Sequence, residues 1–148
     1  MQKANSTPNP HASAYFQLLT TSNLIELRLR EVLQPYKITH PQFNILKILQ
    51  GSFPEPLSAG AIKERMLFNG SDVTRLIDRL VNKGYVHRTV CADNRRKVDI
   101  VISEAGRELL TELHPKALAA VGHFFEEQIT EADARELERI LKKMCCDG

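Results

Sequence analysis

The sequence contains no tryptophan, and only 6% of its 148 residues are aromatic, which disfavours a sugar-stacking surface. Its three cysteines are odd in number and too few for a disulfide-stapled secreted scaffold. The chain therefore reads as a reduced, intracellular, cytoplasmic protein. No stretch reaches the roughly 18 apolar residues that a membrane-spanning helix needs, so no membrane partner is expected. The opening MQKANSTPNP is polar and lacks the apolar core of a signal peptide. It reads as a disordered lead-in over about residues 1–12. No Gly-rich phosphate loop and no Ser/His/Asp or Cys/His set stands in a recognisable frame, so neither an enzyme nor a cofactor is expected. His11, His40, His87, His114 and His123 include no i, i+4 pair, and a metal site is not expected either.

What is present is ordinary for one soluble domain: 43% apolar and 26% charged residues, enough to bury a core. Twenty Lys+Arg against eighteen Asp+Glu leave a formal charge of +2. Taken whole, that balance predicts no polyanionic partner.

Apolar residues at helical spacing predict a long amphipathic helix from about Ser13 to Gln34, stopped by Pro35. Thr39 and Gln42 form a capping-box pattern for a second helix that ends at Gly51. Leu57 suggests a very short strand. Ser58 caps a third helix to about Met66, Asn69-Gly70 is a tight turn, and Ser71 caps a fourth helix to Lys83, closed by Gly84. The period then changes to two. Tyr85–Val90 and Val98–Ile102 read as strands around the basic loop Cys91–Arg96, a β-hairpin. Ser103 opens a long helix to about Gln128, in which Pro115 predicts a kink or break. Thr130 opens the last helix, with Leu137, Ile140, Leu141 and Met144 as its stripe. The fold class is mainly α (α+β): a winged helix-turn-helix over residues 39–103, within a single domain of 1–148. Residues 13–38 and 104–148 form N- and C-terminal dimerisation helices, whose apolar surface exceeds what a small middle lobe can cover.

Charge is unevenly placed along this order. Residues 57–103 carry nine basic and five acidic groups, and the rest of the chain eleven basic and thirteen acidic. The basic excess thus falls on the helix-turn-helix and the wing, as a duplex-binding surface requires. With Val73, Leu76, Ile77 and Leu80 inward, the fourth helix turns Ser71, Arg75 and Arg79 outward, with Thr74 at the edge. Arg75 suits a bidentate pair to guanine, and Ser71 and Thr74 suit a phosphate or a base. The blander alternative is a solvated helix with intrahelical pairs among Asp72, Arg75, Asp78 and Arg79. The hairpin tip reads DNRRK, where an arginine could enter a minor groove and Asp93 could brace it.

These residues resemble the MarR family of bacterial transcriptional regulators. Leu80-Val81-Asn82-Lys83-Gly84-Tyr85-Val86-His87-Arg88 is similar to the family's recognition-helix ending, and Ile102-Ser103-Glu104-Ala105-Gly106 to its Leu-Thr-x-x-Gly helix start. The family's wing Asp-x-Arg fits in two registers. Counting back from Ser103 puts it on Asn94 and Arg96. The literal motif puts it on Asp93 and Arg95, which is preferred slightly because Asp93 carries the carboxylate. The resemblance implies a homodimer on a palindromic double-stranded operator, acting as a repressor that a small-molecule effector releases. Ser71, Thr74, Arg75, Arg79, Arg88, Asp93, Arg95 and Arg96 are then the DNA-binding candidates. Tyr15, Arg28, Tyr36 and Phe43 are the ligand-binding candidates, although core packing suits the aromatics better. Two alternatives remain: a winged-helix module that binds protein without DNA, and a thiol-based redox regulator. The second is weakened because the family's sensing cysteine lies in the N-terminal helical region. This chain has only Cys91, Cys145 and Cys146.

Overall fold

The computed structural model describes residues 9–145. The elements run α1 (Pro10–Leu33), a 3-10 turn (Gln34–Tyr36), α2 (His40–Ser52), α3 (Ala59–Arg65), α4 (Val73–Asn82), β1 (Val86–Val90), β2 (Val98–Ile102), α5 (Glu104–Glu126) and α6 (Glu131–Cys145). The order is the one the sequence predicts. The chain divides into two compact units, Arg30–Ala119 and a helical unit of residues up to Leu29 with those from Ala120 onward.

The larger unit is the winged-helix lobe. Thr39 Oγ1 accepts from the Gln42 N–H while Gln42 Oε1 accepts from the Thr39 N–H, so α2 starts on the expected reciprocal cap. Phe43, Leu46 and Leu49 of α2 are buried with Ile62 of α3 and Val73, Ile77 and Leu80 of α4. Gly84 takes a left-handed turn (φ 79°) at the exit of α4, where the Tyr85 N–H donates to the Leu80 carbonyl. β1 and β2 then pair antiparallel, from Val86 opposite Ile102 to Val90 opposite Val98. Leu57 adds a one-residue bridge to Ile100, making the short strand real but minimal. Gly106 lets the first turn of α5 lie on this hairpin. A Cβ there would stand 2.3 Å from the Tyr85 carbonyl oxygen.

Some local expectations are corrected. The cap of α4 is Asp72, whose carboxylate accepts from the Arg75 N–H at 3.1 Å; Ser71 lies just outside. Aspartate answers the helix dipole better than a serine hydroxyl, and the chain turns one residue later to use it. Pro115 does not break α5, which runs helical from Glu104 to Glu126. α1 begins at Pro10, three residues early, because Asn9 Oδ1 accepts from the His11 and Ala12 N–H groups. Part of the anticipated lead-in is therefore helix, and residues 1–8 lie outside the described residues.

The helical unit keeps a different surface. Phe16 is 63% and Met144 66% exposed, and Tyr15, Leu19, Leu24, Leu27, Leu137 and Ile140 are exposed as well. α6 buries none of its residues. Its polar side is laced by ion pairs of Arg135 with Glu131, Arg139 with Glu136 and Lys142 with Glu138.

Candidate nucleic-acid interface

α4 buries Val73, Ile77 and Leu80, and this fixes which side chains turn to solvent. Thr74, Arg75 and Arg79 are exposed on it, and Ser71 is half-buried just ahead of it. Only one of the anticipated intrahelical pairs forms, and it is loose. Arg75 Nε stands 3.8 Å from Asp72 Oδ2 with both side chains mostly exposed. Asp78 turns instead to Arg88 on β1, an ion pair and hydrogen bond between helix and wing. Arg88 is thereby occupied as a brace, whereas Arg75 and Arg79 stay available.

The wing tip carries Asp93, Arg95 and Arg96, all exposed. Its turn is built on Asn94. The Asn94 Oδ1 accepts from the Arg96 N–H at 3.1 Å, and its carbonyl accepts from the Lys97 N–H at 2.9 Å. The Cys91 N–H then closes the loop on the Lys97 carbonyl. The turn-forming side chain is therefore the one reached by counting back from Ser103. Asp93, the residue with the carboxylate, does not perform that task.

Of the ligand candidates, Tyr36 and Phe43 lie in the winged-helix lobe, and Tyr15 and Arg28 in the other unit. The Tyr36 hydroxyl donates to Glu112 Oε1 at 2.6 Å, and Lys116 Nζ donates to both, at 2.6 and 2.9 Å. The Tyr36 hydrogen bond, with Lys116 second, holds the Glu112 carboxyl below its ordinary value. The same hydroxyl, with Glu112 second, holds the Lys116 ammonium above its own. Phe43 is buried against His114, ring to ring at 6.3 Å. An open cleft of about 510 Å³ lies between α2 and α5, lined by Lys47, Gln50, Arg107, Thr111 and His114 among others. None of the four ligand candidates lines it. Glu112 and Lys116 went unnoticed in the sequence, although their i, i+4 spacing was a readable signal. Cys91 is half-buried at the wing base, its sulfur 3.7 Å from Asp99 Oδ2, and Cys145 is exposed. Cys146 lies outside the described residues.

A family model described as the MarR family matches residues 36–97, the span of α2 through the wing tip. The family match is confined to those residues of the winged-helix lobe. The chain is 27% identical over 112 residues to the HTH-type transcriptional regulator PapX of Escherichia coli. The match covers 76% of the chain and 58% of PapX, so the chain spans little more than half of that relative. Among solved structures, AbsC, a MarR family transcriptional regulator from Streptomyces coelicolor, superposes with a TM-score of 0.80 at 24% identity, covering 98% of this chain and 96% of AbsC. A mutant MarR of E. coli complexed with operator DNA also gives 0.80, at 22% identity, covering 95% and 99% of the two chains. These likenesses establish the MarR winged-helix fold.

Proposed function

We propose that the chain is a sequence-specific, double-stranded-DNA-binding transcriptional repressor, acting as a homodimer on a palindromic operator. The observation that carries this reading is the set of exposed cations on the two protruding elements of a MarR-like winged-helix lobe: Arg75 and Arg79 on α4, Arg95 and Arg96 on the wing. α4 lies in the major groove, with Arg75 donating to a base edge and Ser71 and Thr74 serving phosphates. The wing reaches the minor groove. The turn built on Asn94 favours Arg96 over Arg95 as the inserted side chain, because Asn94 Oδ1 fixes the Arg96 main chain. The apolar faces left exposed on α1 and α6 support two-fold pairing through those helices. Such a dimer holds two recognition helices about one duplex turn, roughly 34 Å, apart. A small-molecule effector releases DNA by favouring another spacing, and the cleft between α2 and α5 offers it room.

Operator selection from a random duplex library with the purified protein tests the reading. The expected product is a palindrome whose affinity falls steeply with salt. Arg96→Ala is expected to weaken binding more than Arg95→Ala. A protein that enriches no sequence, and shifts no duplex even at low salt, would leave the fold as a protein-interaction module.

A further inference from the structure

α2 contains one residue that neither its helix nor its core explains. Asn44 sits between Phe43 and Ile45-Leu46, and like them it is buried. Asparagine is a poor helix former, and a buried amide is tolerated only when it is hydrogen-bonded. Its Oδ1 accepts from the Leu67 N–H at 3.0 Å, across 23 residues of sequence.

Leu67 opens the turn between α3 and α4. Among the described residues, no main-chain hydrogen bond is donated by residues 67–71 to another main-chain group. Burial of Leu67 does not hold the turn either, since that residue is 76% exposed. Among the described residues, the Asn44 amide ties the turn to the lobe, with a second contact one residue on. There the Phe68 ring meets the His40 ring edge-on at 4.7 Å. Both ties come from α2. The turn ends at Asp72, the cap of α4, so it sets where the N-terminal end of that helix lies. The rest of α4 is fixed otherwise, by Asp78 with Arg88 and by Lys83 Nζ donating to the Lys37 carbonyl.

We propose that Asn44 is a positioning residue for DNA discrimination. Through the Leu67 N–H it holds the α3–α4 turn, and so aims Ser71, Thr74 and Arg75 at the base edges. This rests on the DNA-binding reading above. Asn44→Leu is the informative variant, being close in shape and lacking only the polar end. Removing one partner of a hydrogen bond is costly when the other is left buried and dry, and here the released N–H belongs to Leu67, which is 76% exposed and open to water. The variant is expected to melt close to the parent and to bind nonspecific DNA with the parent's affinity and salt dependence. Its preference for the selected operator over scrambled duplex should fall about tenfold, the scale of one mismatched base pair. The Leu67 amide should exchange slowly with deuterium in the parent and fast in the variant.

A variant that keeps the full preference, or that melts much lower with the preference intact, overturns the proposal. So does a Leu67 amide that exchanges fast in the parent, whatever the variant does. If the parent itself shows no operator preference, the DNA-binding reading is what fails.

Discussion

Arg75 and Arg88 are alike in chemistry and both read as DNA-binding candidates in the sequence, but the structure uses them differently. Arg75 has only a long, exposed pairing with Asp72, of a kind that contributes little and is easily exchanged for another partner. Arg88 is held by Asp78. Arg75→Ala is therefore expected to cost about 1–3 kcal/mol of operator discrimination with the melting temperature unchanged. Arg88→Ala should lower the melting temperature first; titrations of the two variants against selected and scrambled duplexes, beside thermal melts, separate these outcomes. Tyr36 gives a second contrast. The Glu112 carboxylate is stabilised in the fold, so its contribution is full above the ordinary carboxylate range and is lost as pH falls through its lowered value. The Lys116 ammonium contributes below its ordinary range and loses that contribution as pH rises through its raised value. Between these limits both contributions are present, each small because the groups are exposed. Tyr36→Phe should thus lower the melting temperature slightly at neutral pH, and the gap to the parent should close on acidification.

At the scale of elements, caps and close approaches set the boundaries. Asp72→Ala should cost about 1 kcal/mol, the usual loss on removing a helix cap, and Ser71→Ala almost nothing in stability. Urea denaturation curves of the two variants decide it. Gly106→Ala should cost about 1–3 kcal/mol by overpacking, since its Cβ meets main chain that cannot swing aside. A chemical melt that matches the parent would show that α5 shifts to make room. The elements themselves were legible because each carries its own periodicity and its own start signal: Thr39 with Gln42, Ser58, Thr130 with Asp133. The misses share a different origin. Ser71 and Asp72 are both good caps, and the choice between them depends on where the turn from α3 arrives. Pro115 was expected to kink or break its helix, and the break does not occur: the helix runs on between Leu113 and Ala117, both buried. The site was legible as a cluster of cations on α4 and the hairpin. Which of them is spent on an internal partner was not, because Asp78 and Arg88 meet only through the tertiary fold, and nothing local points Asn44 to Leu67.

At the scale of the whole molecule, the formal charge of +2 conceals a basic middle and slightly acidic flanks. Binding should therefore rest on a few placed arginines more than on a broad positive field. The flanks also leave large apolar side chains in water along α1 and α6. If a second copy covers them, as proposed, sedimentation should find one species of twice the 16.8 kDa chain mass. Stability then ceases to be a property of the chain alone. Mass action makes the folded pair more heat-resistant at high protein concentration than at low, so the melting temperature should climb on going from nanomolar to micromolar protein. A cell holding few copies would thus hold a regulator that is weaker on its operator and also easier to unfold.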